Sequence, residues 1–115
     1  MNSSITPTPE YQEVHFADGY IYDRKNSAIR HEKSPCSLDR EHAAVLEVLI
    51  LYRNQVVARQ DIMKKLEWLK NERHLEAFIR HLRTHCFAAS ESVEIRTVRM
   101  TGYSLIVADE NIKFI

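Results

Sequence analysis

The stretch that decides the fold is Arg73-His74-Leu75-Glu76-Ala77-Phe78-Ile79-Arg80-His81-Leu82-Arg83, continued by Thr84-His85-Cys86. At ~100° of rotation per residue, Leu75, Phe78, Ile79, Leu82 and Cys86 fall into one narrow stripe. Arg73, Ala77, Arg80, His81 and Thr84 fall on the opposite side. This two-sided pattern predicts a helix over 71–86 with one side committed to a core.

Upstream, Asp39 precedes Ala43, Leu46, Leu49 and Ile50, which repeat at helical spacing. Its carboxylate suits an N-cap. That helix is expected to end near Tyr52–Gln55. Val56-Val57 then reads as a short extended link, and a second helix follows over Arg59–Trp68, with Ile62, Met63 and Leu66 as its apolar face. Downstream, Val93–Val98 alternates, a turn falls around Met100-Thr101-Gly102, and Tyr103–Val107 is apolar, which is a hairpin pattern. Ahead of the helices, Tyr20-Ile21-Tyr22 and Ala28-Ile29-Arg30 are strand-like, separated by turn-forming residues. Glu32–Pro35 reads as a loop. A last apolar piece, Ile112–Ile115, is a candidate addition to the sheet. The predicted fold class is α+β, with N-terminal antiparallel strands, three helices and a C-terminal β-hairpin. The polar, proline-containing residues 1–13 are expected to form a flexible tail, and 14–115 one domain.

Composition narrows the function. The chain has 115 residues, one domain's worth, with 44% apolar and 28% charged residues. No apolar run reaches the ~20 residues of a membrane span, and the N-terminus lacks the basic start and apolar stretch of a signal peptide. Only two glycines are present, which excludes glycine-rich nucleotide-binding loops. Formal net charge is zero, from sixteen basic and sixteen acidic residues, whereas nucleic-acid binders commonly carry a basic excess. Charge is nonetheless concentrated locally. Lys70, Arg73, Arg80 and Arg83 stand against Glu72 and Glu76, with His74, His81 and His85 in the same stretch, and Arg96 and Arg99 lie in the hairpin. The bland alternative is a solvated helix face. The two cysteines, Cys36 and Cys86, could be bridged only if the fold brings them together, and the simpler reading is two free thiols in a reducing cytosol.

The residues also carry a resemblance. Leu38–Leu46, Val56–Ile62, the 73–83 segment and Ile95-Arg96-Thr97-Val98-Arg99-Met100-Thr101-Gly102-Tyr103-Ser104-Leu105 together resemble the OmpR/PhoB-type winged helix-turn-helix, in one consistent order from Tyr20 to Val107. The resemblance implies a sequence-specific, DNA-binding transcription regulator and no enzyme. A recognition helix over 71–86 would enter the major groove, with a wing over 93–107 on the minor groove. It implies that His74, Glu76, Ala77 and His81 face base edges. Trp68, Arg73, Arg80, Arg83, Thr97 and Tyr103 would meet the DNA backbone, and Arg99 the minor groove. The implied partners are double-stranded DNA, a second copy of the chain on tandem sites, and RNA polymerase through the short loop 69–72. No cofactor and no small-molecule substrate are implied.

Four departures from the family pattern stand out. Met100 occupies a position that is often glycine. His42 occupies one that is usually acidic, which removes a charge partner for Arg83. The 69–72 loop is short, and His81 replaces a commonly basic residue. No receiver-like segment precedes the matched stretch. ToxR/CadC-like regulators begin in the same way, so the chain is expected to be cytoplasmic, either free-standing or the cytoplasmic part of a membrane-anchored regulator.

Other chemistries compete with this one. His81 and His85 are four apart and Cys86 follows, a partial metal-ligand pattern, but no second ligand pair is evident in sequence and Cys86 belongs to the apolar stripe, so no metal is expected. Nothing marks either thiol as an activated nucleophile. A winged helix that docks on another regulator protein rather than on DNA is the main alternative, and the neutral charge suits it. His74, His81 and His85 raise the idea that binding strengthens as pH falls, against the plainer reading that they are polar groove residues.

Overall fold

The computed structural model describes residues 10–32 and 35–115. Its first layer is an antiparallel sheet of short strands: β1 Glu13–Phe16, β2 Ile21–Asp23, β3 Ala28–Arg30, β4 Cys36–Ser37 and, from the far end of the chain, β8 Ile112–Phe114. Their order is β4-β3-β2-β1-β8. Register places Val14 opposite Tyr22, and Tyr22 opposite Ile29. These three side chains are buried on one face with Phe16 and Tyr20. The C-terminal piece does join the sheet, with Val14 opposite Phe114. The amides of Gln12 and Glu13 both donate to the Ile115 carbonyl, at 2.7 and 3.0 Å. Order therefore reaches back into the stretch read as a tail, while residues 1–9 lie outside the described residues. Residues 33–34 of the expected Glu32–Pro35 loop also lie outside them.

The helical layer follows. Asp39 caps α1, Arg40–Leu51, by accepting from the His42 amide at 2.7 Å. Ala43, Val45, Leu46, Leu49 and Ile50 of α1 are buried. The Tyr22 hydroxyl donates to Glu47 at 2.5 Å, fastening the sheet to this helix. After β5, Val57–Ala58, comes α2, Arg59–Lys65. This helix is shorter than the expected 59–68. Leu66 leaves helical geometry (φ −119°, ψ 77°), and the chain turns so that Leu69 is buried and Trp68 packs on the next helix.

That helix, α3, spans Glu72–His81 and is capped by Asn71, whose side chain accepts from the His74 amide at 2.8 Å. The expected single helix to Cys86 is corrected at its end: Leu82–Cys86 forms a wider π-turn, closed by the Phe87 amide donating to the Leu82 carbonyl at 3.0 Å. The Thr84 hydroxyl occupies the Arg80 carbonyl at 2.7 Å, competing with the regular helical bond. Every residue of the sequence-derived stripe, Leu75 through Cys86, is buried. Phe87 then meets Phe16 and Tyr20, each at 5.6 Å between ring centroids.

The reading of both cysteines as free thiols is also corrected. Cys36 and Cys86 form a disulfide, with Cα atoms 5.6 Å apart, a normal bridging distance. Folding β4 back along β3, with Cys36 opposite Ile29, brings Cys36 to the π-turn. A separation of 50 residues hides this proximity from the sequence.

The last layer is a three-stranded sheet, β5-β7-β6, built from β6 Glu94–Val98 and β7 Gly102–Ile106. Asn54, at φ 66°, extends the pairing by exchanging bonds with Val107 through its side-chain amide, at 2.7 and 2.9 Å. Gly102 sits where β7 crosses β5, and a Cβ there would lie 1.9 Å from the Val57 carbonyl oxygen. Met100, two residues away in the same turn, holds φ 63°, a left-handed conformation that costs a residue with a side chain ~1–2 kcal/mol.

The two positions thus predict opposite outcomes in denaturant unfolding. Met100→Gly should raise stability by about 1 kcal/mol, because glycine adopts the left-handed conformation freely. Gly102→Ala should lower it by roughly 1–3 kcal/mol, because backbone must move to admit the methyl group.

Candidate nucleic-acid interface

With the Leu75–Cys86 stripe buried, the other side of α3 faces out. Arg73, Glu76, Ala77 and Arg80 are exposed on it. His74 is half-buried. Its Nδ1 accepts from the Lys70 amide at 3.2 Å, and its ring lies 5.0 Å from Phe78 and 6.2 Å from Trp68. Trp68 itself packs edge-on against Phe78 at 5.3 Å. It therefore supports the start of α3 while remaining half-exposed.

At the other end of α3, His81 is half-buried between His42, at 4.4 Å between rings, and His85, at 4.9 Å. Burial holds its pKa below the ordinary histidine value, and the neighbouring His42 and His85 add to this, with Asp39 opposing. This favours the neutral imidazole, which can both donate and accept a hydrogen bond. In the sequence His42 stands out only as a departure from the family pattern. In the structure it is a neighbour of both Phe78, at 4.5 Å, and His81.

Arg83 is committed within the domain. Its Nε donates to the Ile95 carbonyl at 2.9 Å and a terminal nitrogen donates to Thr97 Oγ1 at 2.6 Å. The missing acidic partner is thus replaced by a carbonyl and a hydroxyl of the wing, and Arg83 ties α3 to β6. Tyr103, expected to reach a DNA backbone, is buried, with the Arg59 guanidinium 5.1 Å over its ring. It belongs to the support beneath the hairpin. Thr97 and Arg99 are exposed, and Met100 at the hairpin tip is 89% exposed.

Charge on this side is partly neutralised from within. Arg80 pairs with Glu76 at 3.3 Å, Arg96 with Glu94 at 3.1 Å, and Arg59 with Glu72 at 3.9 Å. Arg73 and Arg99 have no ion-pair partner among the described residues. Of the residues singled out from sequence, the structure groups Arg73, Glu76, Ala77 and Arg80 on one open face. His74 and His81 border it, and Arg99 stands apart at the hairpin tip.

Sequence reasoning missed the residue that orients the hairpin. Asp18, in the β1–β2 turn, accepts from the Ser90 and Ser92 hydroxyls, each at 2.7 Å, and from the Glu91 amide at 2.9 Å. It thereby holds the loop between α3 and β6 against the N-terminal sheet. Only the Asp-Gly turn signal was legible there.

The arrangement is a winged helix-turn-helix. The chain belongs to the family of transcriptional regulatory protein C-terminal domains, which matches residues 33–105. Solved structures share the fold. The DNA-binding domain of Escherichia coli CadC superposes with a TM-score of 0.74 at 16% identity, covering 93% of this chain and all of that one. The DNA-binding domain of Klebsiella pneumoniae RstA, solved with the RstA box, gives 0.66 at 22% identity, covering 84% and 98%. The C-terminal domain of the nisin resistance regulator NsrR gives 0.65 at 21%, covering 79% and 95%. No curated protein matches the chain by sequence. Family and fold are those of transcription regulators rather than of enzymes, and among the described residues no helix is long and apolar enough to cross a membrane.

The Asp18 clamp predicts a pH dependence. Burial pushes its carboxyl upward, but the hydrogen bonds from Ser90, Ser92 and two backbone amides outweigh this and hold the pKa below the usual aspartate value. A depressed folded-state pKa gives stability that is present above the unfolded value, ~4, and is lost as pH falls through the folded one. Asp18→Asn should therefore be less stable than the parent at pH 7, and in thermal melts the gap should narrow as pH falls below ~4.

Proposed function

We propose that this regulator domain binds double-stranded DNA, with α3 in the major groove and the β6–β7 wing on the minor groove. The observation that carries the reading is the division of α3. Its apolar stripe is wholly buried, which leaves Arg73, Glu76, Ala77 and Arg80 facing out beside a hairpin whose tip bears Arg99. Small Ala77 lets the helix approach the groove floor, and an alanine can touch a thymine methyl. Glu76 and the bordering His74 and His81 supply acceptors and donors for base edges. Arg73 and Arg80 suit phosphates, and half-exposed Trp68 and exposed Thr97 can add donors to the DNA backbone. Arg99 suits the strong negative potential of a narrow minor groove. Arg83 acts through the wing it holds, and Tyr103 through the sheet beneath it.

The wider reading also includes a cytoplasmic location, pairing of two copies on tandem sites, and a secondary contact to RNA polymerase through exposed Lys70, Asn71 and Glu72. The alternative, docking on a partner regulator protein, draws on the zero net charge and on the glutamates that already hold Arg59, Arg80 and Arg96.

Salt separates these readings. Affinity for duplex should fall steeply as salt rises, with log–log slope ~0.9 per phosphate neutralised. Arg99→Ala should weaken binding and reduce the slope by about 1, whereas His81→Ala should mainly change sequence preference. Fluorescence anisotropy on labelled duplex measures both. Absence of duplex binding at low salt would leave the protein-docking reading in its place.

A further inference from the structure

We propose that Cys36, His81 and Cys86 form, once the disulfide is reduced, a thiolate metal site for a zinc-class divalent ion, which fastens the end of the recognition helix to β4. Their ligand atoms, two sulfurs and one imidazole nitrogen, all lie within 4.8 Å of one another. Two ligands on a tetrahedral zinc stand roughly 3.5–4 Å apart, given bonds of about 2.0–2.3 Å, so once the disulfide is reduced the two sulfurs, bonded to each other here, must part while the imidazole closes in slightly. The donor set is the nitrogen and sulfur mixture that zinc prefers. It is drawn from two elements 50 residues apart, so an ion here acts as a cross-link. Cys36 and His81 are half-exposed while Cys86 is buried, which gives the ion both a route in and an apolar floor. The rings of His42 and His85 lie 4.4 and 4.9 Å from that of His81, and a water would complete the four-coordinate shell.

Disulfide and metal use the same sulfurs, so they exclude each other. A dithiol reductant delivers two electrons and two protons to the Cys36–Cys86 bond and is itself oxidised to a disulfide. Each thiol then gives up its proton as it ligates the ion. The exchange reaches DNA through His81. In the disulfide form its imidazole is free to border the α3 reading face, and in the metal form a ring nitrogen is committed to the ion. This last consequence rests on the DNA-binding reading above, whereas the metal site itself does not.

The test is a cobalt(II) titration of the whole chain, reduced with a phosphine and followed by absorbance. One equivalent should bind with a thiolate-to-cobalt charge-transfer band, and zinc should displace it. The disulfide form should show no band. Cys36→Ser should abolish the charge-transfer signature of a two-thiolate site. His81→Ala, at a half-exposed position that keeps both thiols, should weaken binding by more than the ~10–100-fold that loss of an outer-shell partner costs. Circular dichroism verifies that each variant is folded. A reduced parent without the band, or a His81→Ala protein with parental affinity, would overturn the proposal and leave the pair as a disulfide staple only. Failure of duplex binding alongside intact cobalt binding would overturn the DNA reading and spare the metal site.

Discussion

The burial of one side of α3 is the constraint on which the rest depends. Leu75, Phe78, Ile79, Leu82 and Cys86 are all in the core, and rotating the helix by even one position would expose them and bury charge in exchange. At ~25 cal/mol per Å2 of apolar surface, several large side chains set that orientation far more firmly than any surface ion pair, whose worth is ~0–1 kcal/mol. The outward placement of Arg73, Glu76, Ala77 and Arg80 is thus a by-product of packing. The wing is fixed relative to this helix by polar contacts. Arg83 bridges to Ile95 and Thr97, and Asp18 grips the connecting loop from the opposite sheet.

Electrostatics gives the domain an unusual balance. A chain of zero net charge cannot draw on a long-range basic field, so steering toward a polyanion must come from local charge. Much of that charge is already engaged by Glu72, Glu76 and Glu94. Those pairs are exposed and weak, so a phosphate can displace them, but each displacement lowers the net gain. On the proposed DNA-binding reading, sequence discrimination would then fall more to neutral groups such as His81 and Ala77 than to charge.

Most of the architecture was legible in sequence because it rests on periodicity and capping. The α3 stripe, the Asp39 cap and the hairpin around Gly102 all follow from patterns within a dozen residues. What escaped depends on contacts between distant segments or on local backbone geometry. The Cys36–Cys86 bridge spans 50 residues. The Asp18 clamp reaches across 72 to 74 residues. The early end of α2 and the π-turn after His81 reflect where Leu69 and Thr84 find partners, which periodicity does not encode. In the candidate site, the exposure of Arg73, Ala77 and Arg80 on one side of α3 was legible from periodicity. The burial of Tyr103 and the internal commitment of Arg83 were not, since family likeness places residues on elements without saying which way each one turns.

The most direct test of the central claim is a duplex titration of 15N-labelled protein followed by amide chemical shifts. The account predicts changes concentrated on residues 73–81 and 99–101, with the outer sheet of β1–β4 and β8 unaffected. Changes centred on that outer sheet, with α3 silent, would contradict it.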